Sequence, residues 1–342
     1  PFPTLFTLAA NDAVYFTLCP RNLRYSIDKA WVIDLRTHVL ARQWRTGGDT
    51  LIPGSFDYVT AQSVSEAIAL LSQHGDDAKI LAGGHSLIPI LRYRLASPAV
   101  LIDINHIANL EYIQETDGML HMGALTRESE LISSELIRKR YAILYDTARN
   151  IADPIVRNWA TVGGNIAHAD PANDHPATML ALNALFVVQG PAGQRVIPAD
   201  EFFGDTSFET TLQPNEILTE IRVPAPDTRS GGVYLKLERK VGDYAIAGVA
   251  AYVCLNAGGL VTHAGLGLTN VGPAPIKARA AEQALVGQPL NASTIRRAAD
   301  LAAAASQPSS DTRGPAEYKR AMVHTLCTRA LTQAHTRATG GA

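Results

Sequence analysis

The sequence predicts an α+β protein of more than one lobe, and three observations carry that expectation. At 342 residues the chain exceeds the roughly 100 to 200 residues of a single domain. Short apolar strands, glycine turns and amphipathic helices alternate from Pro53 onward. A proline- and glycine-rich stretch, Pro224-Ala225-Pro226 followed by Ser230-Gly231-Gly232, then precedes a last third in which strands come before helices.

Taken in order, Phe56 to Val59 reads as a strand, and Ser63 with Glu66 three residues on has the spacing of a helix-opening capping box. Val64, Ala67, Ile68, Leu70 and Leu71 would give that helix its buried face. Lys79 to Ala82 is a short apolar strand, followed by Gly83-Gly84-His85-Ser86 and a helix over Leu87 to Arg94. Val100 to Ile104 and Met119 to Ala124 are strands, and Ser129 to Arg149 has helical spacing throughout. A second glycine loop, Thr161 to Ala167, precedes an apolar helix over Ala177 to Leu185. Antiparallel strands at Phe186 to Gln189, Arg195 to Pro198 and Ile217 to Val223 follow. Beyond the linker come strands at Tyr234 to Lys240, Gly248 to Leu255 and His263 to Thr269, and helices at Ile295 to Ala305 and Tyr318 to Gln333. Residues 1–50 show no sustained period and are assigned no fold.

Composition narrows the function classes. Thirty basic side chains against 32 acidic ones leave a formal charge of −2, too little positive field to attract a nucleic-acid backbone. The longest apolar run, Ala177 to Val188, is interrupted by Asn183 and falls short of the roughly 18 residues of a membrane span. Cys19, Cys254 and Cys327 form no C-x-x-C pair, so the chain offers neither a disulfide framework nor its own iron–sulfur or zinc site. That cysteine usage suits a reducing compartment, and the start of the chain lacks the pattern of a secretory signal.

The two Gly-Gly pairs carry the chemistry. Glycine tolerates positive φ and lets a ligand approach the backbone, so successive N–H groups can converge on an anion such as a pyrophosphate. Each pair could equally be a tight turn. Neither reads G-x-G-x-x-G, which argues against a Rossmann site. His168, Asp170, Asp174 and His175 resemble metal ligands in type, but Pro171 and Pro176 break the helical spacing such ligands use, and a metal is not expected. Asp174 is read as an acceptor for ribose hydroxyls or as an Asx turn or cap before Pro176, and Tyr244 as an aromatic face for a flavin ring or as core. A triad of Ser86, His85 and Asp174 lacks the G-x-S-x-G elbow.

With these residues in place, the chain resembles the flavin-binding medium subunits of aerobic carbon monoxide dehydrogenases and the wider xanthine dehydrogenase family. The likeness rests on Ala82-Gly83-Gly84-His85-Ser86-Leu87-Ile88-Pro89 and Thr161-Val162-Gly163-Gly164-Asn165, with Asp170-Pro171 and Asp174 behind. It extends through Ile52-Pro53-Gly54-Ser55-Phe56-Asp57-Tyr58, Lys240-Val241-Gly242-Asp243-Tyr244-Ala245 and Gly314-Pro315-Ala316-Glu317-Tyr318, from Ile52 to about Ala334. It implies a two-lobed FAD-binding domain of the vanillyl-alcohol-oxidase type at 51–227, with lobes at about 51–105 and 106–227. An α+β C-terminal domain at 230–335 completes the fold. It further implies that Ile80, Leu81, Ala82, Gly83, Gly84, His85, Ser86, Leu87 and Ile88, with Thr161, Gly163, Gly164 and Asn165, hold the FAD pyrophosphate. Asp174 would lie on the adenosine side, Leu218 and Lys236 along the cofactor and Tyr244 near the isoalloxazine.

The same resemblance implies partners: a small subunit with two [2Fe–2S] clusters and a large subunit with a molybdopterin cofactor, assembled as a dimer of heterotrimers. Electrons would reach FAD from the clusters and leave for an external acceptor such as a quinone. Substrate oxidation would belong to the large subunit, with carbon monoxide as the first expectation and an aldehyde, purine or N-heterocycle as the alternative; a free-standing flavin oxidoreductase is a further reading. The expected location is the cytoplasm, with association at the inner membrane face through the complex. Members of the family begin near Leu51, so residues 1–50 are expected to be translated upstream sequence and Leu51 a non-ATG start.

Overall fold

The computed structural model describes residues 52–340 and, before them, the paths of two paired antiparallel strands, β1 (Phe6–Ala10) and β2 (Ala13–Thr17). The reading of residues 1–50 as an upstream extension, and of Leu51 as a start, otherwise falls outside the described residues.

The first lobe comprises β3 (Asp57–Thr60), α1 (Val64–His74), β4 (Ala78–Leu81), α2 (Leu87–Arg92) and β5 (Val100–Asp103). Its three strands are parallel in the order β3-β5-β4, with every residue of the central strand buried. The expected helix start is present: Ser63 Oγ accepts from Glu66 N at 3.1 Å, and Glu66 Oε2 accepts from Gln62 N at 2.7 Å. Ala67, Ile68 and Leu71 are the buried face. β4 ends where the first glycine pair begins, so a ligand would meet the carboxyl end of a parallel strand.

The second lobe opens with β6 (Ile113–Thr116) and β7 (Met119–Gly123). The helix expected over Ser129 to Arg149 is three helices, α3 (Glu128–Ser133), α4 (Glu135–Arg140) and α5 (Ala142–Asn150). Extended backbone at Ser134 breaks the first from the second, and the serine hydroxyl caps the new helix by accepting from Ile137 N. The breaks let Leu131, Ile137 and Leu144, all fully buried, reach one core. Then follow α6 (Pro154–Arg157), α7 (Val162–His168), α8 (Asp174–Ala181), β8 (Leu185–Gly190), β9 (Gly193–Pro198), α9 (Ala199–Phe202) and β10 (Ile217–Pro224). The strands form an antiparallel sheet in the order β6-β7-β10-β8-β9. α8 starts and stops earlier than its apolar run suggests, because Asn183 turns left-handed at φ 51° and Leu185 already belongs to β8.

The C-terminal lobe is an antiparallel sheet of β11 (Ser230–Glu238), β12 (Ala245–Leu255), β13 (Val261–Thr269) and β14 (Ile276–Lys277), covered by α10 (Arg279–Leu285), α11 (Ala292–Ala305) and α12 (Ala316–Ala338). Gly231 and Gly232, read from sequence as linker, lie inside β11. A Cβ on Gly231 would stand 2.1 Å from Ala334 O, so this glycine lets α12 close on the strand.

The lobes meet where α8 lies directly on β13. A Cβ on Gly265 or Gly267 would come within 1.8 Å of Ala181 O or Ala177 O respectively. The match is geometric: four helical residues advance about 6 Å and two strand residues about 7 Å, so an i, i+4 pair seats over an i, i+2 pair. A methyl group there must displace backbone. Gly267→Ala is therefore expected to cost about 3 kcal/mol or more, lowering the thermal midpoint by at least about 6 °C. An unchanged midpoint by calorimetry would mean that α8 does not seat on these glycines.

Candidate cofactor site

The first glycine segment is built to present backbone donors. β4 delivers the chain to Gly83 and Gly84, and Gly84 turns at φ 74°, a left-handed conformation that a side chain disfavours. Ile88 N donates to Gly84 O at 2.9 Å and starts the helical path. Among the described residues nothing accepts from the N–H groups of Gly84, His85, Ser86 and Leu87. Four successive bare donors at one bend form a cradle for an anion.

The second segment is different. Gly163 and Gly164 occupy the first turn of α7, whose amides are already satisfied. Val162 N donates to Thr126 O and Gly163 N to Ala124 O, each at 3.0 Å, while Gly164 N donates to the capping Thr161 Oγ1 at 3.1 Å and Asn165 N to Thr161 O at 3.0 Å. Gly163 is a packing glycine: a Cβ there would stand 2.6 Å from Ala124. What this segment offers a ligand is Asn165, whose Oδ1 is buried without a hydrogen-bond partner. Such an atom costs about 1–3 kcal/mol unless a bound group satisfies it.

The two segments touch. A Cβ on Gly83 would lie 2.3 Å from Trp159 O and 2.9 Å from Ala160 Cα, so the glycine is needed for close approach as well as for the turn. A polar brace that sequence reading missed fixes the spacing. Asn105 Nδ2 donates to Ala82 O at 2.9 Å, Arg127 Nη2 donates to Asn105 Oδ1 at 2.7 Å, and Arg127 Nη1 donates to Trp159 O. The Arg127 guanidinium also lies 5.9 Å from the Trp159 ring centroid. Nothing in the local sequence marks Arg127 or Asn105, because their partners are 22 to 32 residues away.

Between the segments lies a cleft of about 320 Å³. Of the expected positions, Ile80, Ala82 through Leu87, Thr161, Gly164 and Asn165 line it, whereas Leu81, Ile88 and Gly163 do not. Lys79 and His168 line it as well. Four expected residues lie elsewhere. Leu218 is a core residue beside the bulge in β10. Tyr244 is 46% exposed, with the Arg313 guanidinium 5.6 Å from its ring centroid, and its phenol is raised by burial and by the Asp170 charge. Asp174 and Lys236 meet each other at 3.0 Å across the lobe boundary.

Both oxygens of Asp174 are held within the chain, Oδ1 by Tyr234 OH at 2.5 Å and Oδ2 by Lys236 Nζ. Each oxygen keeps a lone pair for a further donor, and the cap of α8 is Asn173 rather than Asp174. Burial pushes the Asp174 carboxyl above the ordinary carboxylate range, countered by the Lys236 ammonium and the Tyr234 hydroxyl. Burial, then the nearby Asp174 charge, raises the Tyr234 phenol well above its usual value. His175, a few residues from His168 in sequence, points into the core instead, its Nε2 2.8 Å from Glu128 Oε2 with both side chains fully buried. Asp170 Oδ1 accepts from Ala172 N as an Asx turn, and among the described residues no cluster suits a metal ion.

Bare amides at the end of a parallel strand, closed over by a second glycine segment with an unpartnered amide side chain, define a site for a diphosphate-bearing cofactor. Residues 54–226 match the FAD binding domain in molybdopterin dehydrogenase, and residues 232–334 match the CO dehydrogenase flavoprotein C-terminal domain. The chain is 46% identical over 287 residues to the carbon monoxide dehydrogenase medium chain of Hydrogenophaga pseudoflava, covering 84% of this chain and 99% of that one. It is 38% identical to the 6-hydroxypseudooxynicotine dehydrogenase complex subunit alpha of Paenarthrobacter nicotinovorans, covering 84% and 96%. A solved carbon monoxide dehydrogenase from Hydrogenophaga pseudoflava, lacking the Mo-pyranopterin moiety of its molybdenum cofactor, superposes with a TM-score of 0.82 at 48% identity, covering 84% of this chain and 99% of that one. The chain belongs to the family of FAD-binding subunits of molybdenum hydroxylases, and FAD is its cofactor.

Two variants test the geometry. Asn165→Leu removes an atom that only a ligand can satisfy, so the flavin-free protein should keep or raise its thermal midpoint while FAD binds about tenfold or more weakly. Loss of stability with unchanged affinity would place Asn165 outside the site. Lys236→Met strands the buried Asp174 carboxylate and should cost about 3–5 kcal/mol in urea denaturation, with most of it recovered in the Asp174→Asn/Lys236→Met pair. A cost below about 1 kcal/mol would show that the pair does not hold the boundary.

Proposed function

We propose that this chain is the electron-transferring flavin subunit of a carbon monoxide dehydrogenase-type complex. Its partners are a small subunit carrying two [2Fe–2S] clusters and a large subunit carrying the molybdopterin cofactor, in a dimer of heterotrimers. The observation that carries the reading is the joining of both glycine segments around one cleft, in a chain 84% of which is matched by 99% of a medium chain of that enzyme. Both relatives named above are subunits, which supports a function completed by other chains.

When bound, the flavin accepts electrons singly and releases them in pairs. The chain's own residues hold and orient it. The amides of Gly84 to Leu87 take the diphosphate, Asn165 satisfies a polar group beside it, and the Arg127 brace keeps the two segments at fixed spacing. Tyr244, half exposed and stacked by Arg313, offers an aromatic face at the edge of the C-terminal lobe. Leu218 and Lys236 act through the wall of the site, Leu218 from the core and Lys236 by pinning α8 to β11. Among the described residues no helix is long and apolar enough to cross a membrane. The proposed complex would work in the cytoplasm, at the inner membrane face, where a quinone would collect the electrons.

A second reading, a hydroxylase acting on an N-heterocycle or an aldehyde, draws on the 38% identity to the 6-hydroxypseudooxynicotine dehydrogenase complex subunit alpha. One experiment separates them. The natively purified complex, with flavin absorbance, iron and molybdenum present, is mixed anaerobically with carbon monoxide, an aldehyde or an N-heterocycle. Bleaching of the flavin bands by carbon monoxide alone is expected; bleaching by a heterocycle or aldehyde alone would reassign the substrate, and absence of iron and molybdenum would overturn the complex.

A further inference from the structure

We propose that Phe208 and His168 form an aromatic wall against which the flavin ring of bound FAD seats. The proposal rests on the flavin reading above and goes beyond it by assigning two ring-binding residues outside both glycine segments.

Phe208 stands in a conformation that its own type disfavours. Its φ is 64°, in the left-handed region that suits glycine, asparagine and aspartate and in which a bulky side chain is an outlier. Packing does not offset this, because the residue is 59% exposed. The chain around it nonetheless holds it in place. Phe208 N donates to Ala169 O at 3.1 Å, and Ala169 is itself left-handed at φ 50°. Gly204 N donates to Glu209 O at 3.0 Å, and Thr206 Oγ1 donates to Glu209 Oε2 at 2.7 Å. Ser207 Oγ donates to Pro273 O at 2.8 Å, which ties this loop to the C-terminal lobe. An aromatic ring kept exposed at such cost is a ring kept ready for a ligand.

Its place suits the flavin. The Phe208 ring centroid lies 5.1 Å from that of His168, with the planes tilted by 43°. His168 ends α7 and lines the cofactor cleft. Asn165 and His168 are three residues apart on that helix and share a face, so the aromatic pair lies about 4.5 Å beyond the unpartnered Asn165 amide. In FAD a sugar-alcohol chain separates the diphosphate from the flavin ring, and a wall set beyond the diphosphate cradle meets the ring. The adenine leaves the diphosphate at its other end. The Asp170 charge acts on both the His168 imidazole and the Tyr244 phenol, so Phe208 and His168 stand toward the Tyr244 side of the lobe boundary. Burial pushes the His168 imidazole below its ordinary value, against the Asp170 charge, and the wall thus presents neutral rings to a neutral oxidised flavin.

The test uses the full-length protein in its native assembly, freed of flavin. Phe208→Asn keeps a residue suited to the left-handed backbone and removes the ring. Its thermal midpoint should stay or rise, FAD should bind about tenfold more weakly by titration calorimetry, and ADP, which has no flavin ring, should bind as it does to the unaltered protein. Phe208→Tyr, which restores the ring, should recover both the FAD affinity and the visible absorption spectrum of the bound flavin. Unchanged FAD affinity and spectrum in Phe208→Asn would overturn the proposal. Equal weakening of FAD and ADP would also overturn it, by moving the wall to the adenine. Failure of the unaltered protein to bind FAD would instead remove the flavin reading on which it stands.

Discussion

The site depends on one close approach of backbone to backbone, Gly83 against Trp159 and Ala160. Any side chain at position 83 would hold the first lobe's strand end away from the second lobe, and the cleft between them would open. Once contact is made, Asn105 and Arg127 convert it into a fixed spacing, because each bridges groups that belong to different lobes. The donors at Gly84 to Leu87 stay bare as a consequence: the bend is anchored at its flanks, and among the described residues none accepts from its centre.

The C-terminal lobe is joined to this arrangement by a second close approach. Gly265 and Gly267 let α8 lie on β13, and α8 begins with Asp174, which meets Lys236 and Tyr234 of β11. A buried ion pair contributes little net stability, yet losing one partner is costly, so the cluster acts as a register pin between lobes. α7 and α8 are consecutive, and the segment that carries Asn165 is thereby tied to the domain that displays Tyr244. The two ends of an extended cofactor can in this way be held by different lobes.

Much of this was legible in the sequence, and the failures have physical causes. The first lobe's strands, the Ser63 cap and the first glycine bend follow local rules of periodicity, capping and turn chemistry, and they are found within a residue or two of their expected places. The helix over Ser129 to Arg149 breaks into three because Ser134 can cap as well as continue, and core packing of Ile137 decides between them. Glycine itself was ambiguous. Gly84 supplies positive φ and Gly83 and Gly163 supply close packing, yet all three read alike, while Gly231, which reads as linker, admits a helix to a strand. Arg127 and Asn105 could not be found at all, since a brace between lobes leaves no local pattern. The motif marks Asp174 but not its contacts with Tyr234 and Lys236, because these partners lie 60 and 62 residues away.

The two glycine segments are unequal, one offering bare amides and the other already satisfied. Hydrogen–deuterium exchange of the flavin-free and FAD-loaded protein, resolved at residues 84–87 and 162–165, measures this directly. The amides of Gly84 to Leu87 should exchange fast without FAD and slow sharply with it, while those of Val162 to Asn165 are protected in both states. Equal FAD-dependent protection of both segments, or none at residues 84–87, would contradict the account.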